Sequence, residues 1–377
     1  MSRTKVLTVV GTRPELIKLS RVIAELDRSV EHVLVHTGQN YDYELNEVFF
    51  SDLEIRQPDH FLNAAAETPA ATVAKVIAAS DEVIAREAPD ALLLLGDTNS
   101  CLAAYAAKRR QVPVFHMEAG NRCFDERVPE EINRRVVDHL SDVNLTYTEH
   151  ARRYLLREGF RPELVIKTGS PMKEVLTYYG ATIAESRVLE RLGLAAGEYF
   201  LVSAHREENI TSDTRFSALL DTLNRVAGNY GKRVIVSTHP RTRKRLEQVG
   251  EHGVSGLVEF TQPFGFHDYI KLQQHARCVL SDSGTITEES ALLGFPAVTL
   301  RQAHERPEGM DSGVLVMTGL EAARVIEAID VLLRQHADRN GARRVVADYE
   351  VDDVSTTVVR IILSYIHYVR RTVWYAE

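Results

Sequence analysis

Lys5-Val6-Leu7-Thr8-Val9-Val10-Gly11-Thr12-Arg13-Pro14-Glu15 is the stretch from which the fold can be read. Its first six residues are mostly apolar and β-branched, which indicates a buried strand. Gly11 ends it, Thr12 suits a helix N-cap and Pro14 suits the first helical turn. An amphipathic helix is expected over 15–27. Working outward, the alternation recurs. Strands are expected at 32–36, 91–95, 112–117, 144–147 and 165–168, with helices at 69–87 and 98–108. The pattern restarts with strands at 199–203, 233–238, 258–260, 278–281 and 297–300 and a helix at 212–229. Two helices, near 319–334 and 355–375, close it. Strands alternating with helices imply parallel sheets covered on both faces. The expected class is α/β, with two doubly wound Rossmann-like domains facing a cleft. Their expected bounds are 1–172 and 173–354, with a final helical segment at 355–377.

Bulk properties agree with this division and exclude several functions. A chain of 377 residues is too long for one ordinary core. Hydrophobic content of 44% and charged content of 26% are those of a soluble globular protein. The net charge, 45 − 53 = −8, and the lack of a basic tail weigh against a nucleic-acid partner. Cys101, Cys123 and Cys278 are scattered without a CxxC pair, so neither a disulfide scaffold nor a zinc site is expected. No apolar run approaches the ~20 residues needed to span a bilayer, and the run at 6–10 is too short for a leader peptide. No membrane partner is expected, and the expected compartment is a reducing cytoplasm. No repeat of 20–50 residues is present.

In open α/β sheets, ligands bind beyond the carboxyl ends of the strands. Six unusual polar motifs are expected there: Gly11-Thr12-Arg13-Pro14-Glu15, Gly96-Asp97-Thr98, His116-Met117-Glu118, Ser203-Ala204-His205-Arg206-Glu207-Glu208-Asn209, Thr238-His239-Pro240-Arg241 and Ser281-Asp282-Ser283-Gly284-Thr285. Any one is an ordinary loop; packing alone does not explain all six. The densest follows His116-Met117-Glu118-Ala119-Gly120-Asn121-Arg122 with Pro129-Glu130-Glu131-Ile132-Asn133-Arg134-Arg135. Asp97, Glu118, Glu130 and Glu131 thus meet Arg122, Arg134 and Arg135 in what reads as a loop between apolar strands. That mixture suits acid–base chemistry beside an anion, given at least one carboxyl whose pKa burial or neighbours raise. His116-x-Glu118 lacks clear third and fourth ligands, so no metal is expected.

The glycine turn at 11–15 is either a well-capped helix start or a diphosphate seat. In the second reading, free amides, Arg13 and Lys18 face the phosphates. It is not GxGxxG, which disfavours a dinucleotide. Ser283, Gly284 and Thr285 open a second such turn, with a carboxylate four to five residues on for the ribose hydroxyls; the plain alternative is a capping box. His205 and His239, each beside an arginine, either bind a nucleotide or sugar or are satisfied core histidines. The charged turn at 301–310, containing His304-Glu305-Arg306-Pro307-Glu308-Gly309, either closes on the cleft or is solvated.

Taken in order, Gly11-Thr12-Arg13-Pro14-Glu15, Gly38-Gln39, Gly96-Asp97-Thr98, His116-Met117-Glu118-Ala119-Gly120, Pro129-Glu130-Glu131-x-Asn133-Arg134, Asp282-Ser283-Gly284, Glu288-Glu289 and Glu305-Arg306-Pro307-Glu308 resemble the non-hydrolysing UDP-N-acetylglucosamine 2-epimerase family. The resemblance runs from residue 5 to beyond residue 330. It implies a glycosyltransferase-B-like fold, a homodimer, no nicotinamide or other cofactor, and a last helix that returns to the first domain. It also implies removal of the C2 proton with expulsion of UDP from C1, giving a 2-acetamidoglycal, then re-addition with the proton delivered to the other face. Asp97, Glu118 and Glu130 match the family's catalytic carboxylates, and His205 its active-site histidine. Arg13, Lys18, His239, Ser283, Gly284, Glu289 and Arg306 match positions that hold UDP. Gln39, Arg122, Arg206 and Thr285 complete the candidate substrate contacts.

Two segments depart from the N-acetylglucosamine type. Residues 36–50 lack its Gln-His-Arg-like run, which puts activation by a second substrate molecule in doubt. The loop Asn121-Arg122-Cys123-Phe124-Asp125-Glu126-Arg127-Val128 is short. Both resemble the branch that converts UDP-2-acetamido-2,6-dideoxy-L-talose to UDP-N-acetyl-L-fucosamine for surface polysaccharide such as O-antigen or capsule. Those sugars lack the C6 hydroxyl, and Phe124 is a candidate for the apolar wall that suits them. The alternatives are UDP-GlcNAc to UDP-ManNAc, another UDP-acetamido sugar such as a diacetamido uronate, a glycosyltransferase of the same fold, a hydrolysing relative and a non-catalytic sensor. The carboxylate cluster favours an epimerase over the glycosyltransferase and the sensor, whereas a hydrolysing relative would release UDP and free sugar irreversibly.

Overall fold

The structure is a computed structural model that describes residues 3–38, 49–249, 253–303 and 305–376. It divides into two compact units, 1–178 with 347–377, and 179–346. The junctions expected from sequence were 172/173 and 354/355.

The first unit is built on β1 (Lys5–Val10), β2 (Glu31–His36), β3 (His60–Phe61), β4 (Ala91–Leu95), β5 (Val114–Met117), β6 (Val143–Thr146) and β7 (Val165–Lys167). Its helices include α1 (Arg13–Ser29), α2 (Pro69–Glu87), α3 (Ala103–Arg109), α4 (Pro129–Leu140), α5 (Glu149–Arg157) and α6 (Met172–Tyr178). Among the described residues the strands form one sheet in the order β3-β2-β1-β4-β5-β6-β7. Every pairing in it is parallel. β4, Ala-Leu-Leu-Leu-Leu, is buried along its whole length, as a central strand covered on both faces must be. α1 turns Leu16, Leu19, Val22, Ile23 and Leu26 inward at helical spacing.

The second unit carries β8 (Tyr199–Ser203), β9 (Arg233–Ser237), β10 (Val258–Thr261), β11 (Cys278–Ser281), β12 (Ala297–Thr299) and β13 (Val316–Met317). Its helices include α7 (Asp213–Tyr230), α8 (Pro240–Val249), α9 (Phe266–His275), α10 (Ile286–Leu293), α11 (Pro307–Asp311) and α12 (Ala322–Asp338). The order is β10-β9-β8-β11-β12-β13, again parallel throughout.

Both sheets therefore reverse direction of winding beside their first strand, between β1 and β4 and between β8 and β11. Ligands bind outside such switch points. The chain then returns to the first unit. Asp348 accepts from the Glu149 amide at 2.9 Å and pairs with Lys167 at 2.7 Å, and the Ser355 amide donates to Glu174 at 2.9 Å. The final helix, α13 (Val354–Val373), packs on α1. Among the described residues no helix is long and apolar enough to cross a membrane.

Candidate active site

Four turns lie at the two switch points. In the first unit, Glu15 ties its pair together. Its Oε2 accepts from the Gly11 amide at 2.8 Å, the Thr12 amide at 2.6 Å and the Thr12 hydroxyl at 2.9 Å, while Oε1 accepts from the Thr98 hydroxyl at 2.8 Å. One buried carboxyl thus joins the turn after β1 to the turn after β4. Burial pushes its pKa up to about 7, against the pull of those donors. Its position closes the capping box with Thr12 at the start of α1.

Asp97 and Glu118 follow neighbouring strand ends because β4 and β5 pair in parallel, with Leu95 opposite Met117 and the Gly96 amide donating to the Met117 carbonyl at 3.0 Å. Lys18 of α1, 2% exposed, reaches Glu118 Oε2 at 2.6 Å, and Asn121 donates to Oε1 at 3.3 Å. Arg134 holds Asp97 Oδ2 through Nη2 at 2.5 Å and Nε at 3.1 Å. Glu118 sits at φ 62°, a left-handed backbone that costs a non-glycine residue about 1–3 kcal/mol and concentrates at functional sites. Gly120, two residues on, has φ 80°, and a Cβ there would lie 2.5 Å from the Ala151 carbonyl oxygen. Only glycine fits that approach.

The carboxylate–arginine run does not form a loop. Pro129–Leu140 is a helix, begun by Pro129 at its first position. Glu130 is half-buried in its first turn. Glu131 is fully buried; it accepts from the Cys123 amide at 3.0 Å and the Phe124 amide at 3.3 Å and pairs with Arg134 and Arg135. Burial alone would raise its pKa, but these partners outweigh it and hold the carboxyl below the usual range. Glu131 thus staples the short loop that precedes α4.

Arg122 corrects an expectation. Placed beside substrate by the sequence reading, its guanidinium is instead fully buried and committed within the protein. Nε and Nη2 grip Glu158 at 2.8 and 2.6 Å, and Nη1 donates to Asp138 at 2.7 Å and the Asn121 carbonyl at 2.8 Å. Asp138 was not visible from sequence. Fully buried on α4, it also faces His116 Nδ1 at 3.0 Å and accepts from the Gly120 amide at 3.2 Å. Burial would raise its pKa; His116 and Arg122 hold it below the ordinary value. His116 Nε2 meets the Gly96 carbonyl at 2.7 Å, so both ring nitrogens are engaged within the protein.

Arg13 is half-buried at the start of α1, its guanidinium 5.4 Å from the Phe49 ring. Gln39, with residues 40–48, and His304 lie outside the described residues.

In the second unit Asp282, at the end of β11, organises the turn after β8. It accepts from the His205 amide at 3.0 Å, the Arg206 amide at 3.0 Å and the Asn209 side chain at 3.0 Å, and faces His205 Nδ1 at 3.4 Å. The His205 ring stacks on His239 at 5.5 Å. Ser283 and Thr285 hydroxyls lie 3.0 Å apart in the turn that opens α10, with Gly284 between them. Glu289 is positioned by Gln273 at 2.6 Å. The 301–310 segment is not a solvated loop: Arg301 and Arg306 are each 4% exposed. Arg301 pairs with Glu305 at 2.8 Å, Arg206 approaches the same carboxylate at 3.5 Å, and Arg306 pairs with Glu288 at 2.9 Å. Each unit therefore presents cations, hydroxyls and helix-opening amides at its own switch point, and the first adds the carboxylates Asp97 and Glu118.

Comparison with known proteins agrees with this arrangement. The family model described as UDP-N-acetylglucosamine 2-epimerase matches residues 24–363. A solved UDP-N-acetylglucosamine 2-epimerase from Rickettsia bellii is 51% identical, covers 99% of this chain and all of its own, and superposes with a TM-score of 0.92. The Methanocaldococcus jannaschii UDP-GlcNAc 2-epimerase, solved with UDP-GlcNAc and UDP, is 30% identical over 96% of this chain and 100% of that one, with a TM-score of 0.89. UDP-2,3-diacetamido-2,3-dideoxy-D-glucuronate 2-epimerase of Pseudomonas aeruginosa is 34% identical over 86% of this chain and 91% of that protein. The chain belongs to the UDP-N-acetylglucosamine 2-epimerase family.

Proposed function

We propose that this UDP-sugar 2-epimerase converts UDP-2-acetamido-2,6-dideoxy-L-talose to UDP-N-acetyl-L-fucosamine, for surface polysaccharide, in the cytoplasm. A base takes the C2 proton, the C1–O bond breaks with its electron pair leaving on UDP, and a 2-acetamidoglycal remains. UDP oxygen then adds back to C1 as a proton reaches the opposite face of C2. The observation that carries the chemistry is the register of β4 on β5, which sets Asp97 and Glu118 at neighbouring strand ends beside Lys18. Glu130 and His205 complete the acid–base set. Arg13, Lys18, Arg206, His239, Ser283, Gly284, Thr285, Glu289 and Arg306 hold UDP and stabilise the charge it gains on departure.

The sugar assignment rests on the short loop at 121–128. Glu131 holds its backbone so that Phe124, at φ 55° and 65% exposed, presents an aromatic surface braced edge-on by Tyr154 at 5.3 Å. A ring without donors suits a C6 methyl better than a C6 hydroxyl. UDP-GlcNAc and a UDP-diacetamido uronate are the rival substrates, and the names of the relatives favour them. Proton NMR in D₂O separates the readings, with UDP-2-acetamido-2,6-dideoxy-L-talose and UDP-GlcNAc in different tubes. The expected result is loss of the C2 proton signal and a new C2 epimer in the first tube only. Exchange confined to UDP-GlcNAc removes the L-fucosamine assignment.

The active form is proposed to be a homodimer. Tyr105 of α3 and Ile132 and Val136 of α4, on two packed helices, are 48%, 54% and 41% exposed and offer an apolar face for a second copy. A purely monomeric species in sedimentation would remove that proposal.

A further inference from the structure

We infer that His116 and Asp138 form a positioning pair that fixes the separation of Asp97 and Glu118, and thereby the balance between taking the C2 proton and returning it. Neither residue is placed to touch substrate. His116 lies on β5 two residues before Glu118, and Asp138 lies on the buried face of α4. Their contacts bracket both catalytic carboxylates on the main chain. His116 Nε2 holds the carbonyl of Gly96, the residue before Asp97, at 2.7 Å. Asp138 holds the amide of Gly120, two residues after Glu118, at 3.2 Å from each oxygen. The two side chains meet at 3.0 Å, closing a continuous bridge from one carboxylate turn to the other.

The bridge is anchored from behind. Arg122 pairs with Asp138 at 2.7 Å and with Glu158 at 2.6 Å, and Asn144 donates to the Asp138 carbonyl at 3.1 Å. His116, Asp138 and the Arg122 side chain are all fully shielded from solvent, so the distance they impose is not softened by water. Three residues within the bracket, Gly96, Glu118 and Gly120, have left-handed backbones at φ 80°, 62° and 80°. Glycine adopts this geometry freely, but Glu118 keeps it only while its surroundings over-determine it. Elimination and re-addition need a proton taken from one face and delivered to the other, so the placement of one carboxyl relative to its neighbour governs which half-reaction is favoured.

This inference rests on the epimerase reading, and the test separates the two. His116→Gln keeps one donor for the Gly96 carbonyl but breaks the bridge to Asp138; Asp138→Asn keeps the shape and removes the charge. For both variants and the wild type, three quantities are read: kcat and KM for C2 epimerisation, UDP binding by calorimetry, and the ratio of glycal plus UDP released to epimer formed. That ratio does not depend on how much of the protein is folded, so a merely structural defect leaves it unchanged. The expected outcome is a loss in kcat on the order of 10²-fold, as for a misplaced catalytic group. KM and UDP affinity stay close to wild type, and the released glycal fraction rises. If the ratio and the turnover per UDP-binding site match the wild type, the positioning pair is overturned. If Asp138→Asn does not fold, His116→Gln decides alone. A wild type that exchanges no C2 hydrogen with any UDP-acetamido sugar overturns the epimerase reading itself.

Discussion

Asp97→Asn and Glu118→Gln each slow C2 epimerisation about 10²–10⁴-fold, the usual worth of a general acid–base group, while UDP affinity holds. The geometry explains the split. Each carboxylate sits at a strand end with a cation on it, Arg134 on Asp97 and Lys18 on Glu118. Glu118→Gln replaces the carboxylate that faces the Lys18 ammonium with a neutral amide. That cation is then more available to the UDP diphosphate, so affinity for UDP stays level or rises slightly. Calorimetry with UDP beside single-turnover deuterium exchange at C2 reads both halves. A parallel fall of UDP affinity and exchange would reassign these carboxylates to binding.

Arg122→Met unfolds the first unit more easily without altering what the folded protein binds. Three carboxylate contacts end on this one guanidinium, which is fully buried among Asp138 and Glu158. Its removal leaves Asp138 charged, with only His116 and the Gly120 amide for compensation. Breaking a buried pair from one side costs about 3–5 kcal/mol. That is a large share of the 5–15 kcal/mol that keeps a typical domain folded. Urea unfolding should show a lowered midpoint with UDP affinity of the folded fraction unchanged. Normal stability with weakened UDP binding would instead return Arg122 to the substrate.

The repeating strand–helix pattern was legible because β1, β4, β8 and β11 are short, mostly apolar runs rich in Val and Leu that end in or before glycine or serine. α2 was read to the residue, Pro69 to Glu87, because Thr68 caps it and Pro69 starts it. α4 was not legible. Its buried face is Glu131, Arg134, Val137 and Asp138, while Ile132 and Val136 point to solvent. Hydrophobic periodicity therefore marks the wrong side of this helix, and charges destined for burial look like a loop. Arg122 was misread for a related reason. Its partner Glu158 lies 36 residues away, and nothing local distinguishes an arginine that meets carboxylates inside the protein from one that meets phosphate. Asp282 stood inside a recognised motif, but its role became visible only once β8 and β11 were paired.

The first unit is finished by the last part of the chain. α1 lies against α13, whose Val358, Val359, Ile362, Ile366 and Val369 are buried in the same unit. On the ribosome this imposes an order of assembly. All of 179–346 must be synthesised before residues 347–377 exist to complete the first unit. At about 5–20 residues per second that wait is roughly ten to thirty seconds. During it the second unit has its whole sequence and can close, while α1 has an uncovered face open to chaperones or to self-association. Proteolysis of chains stalled before residue 354 should therefore find the later-made unit protected and the earlier-made one cut; equal protection of both would show that the first unit folds without its closing helix.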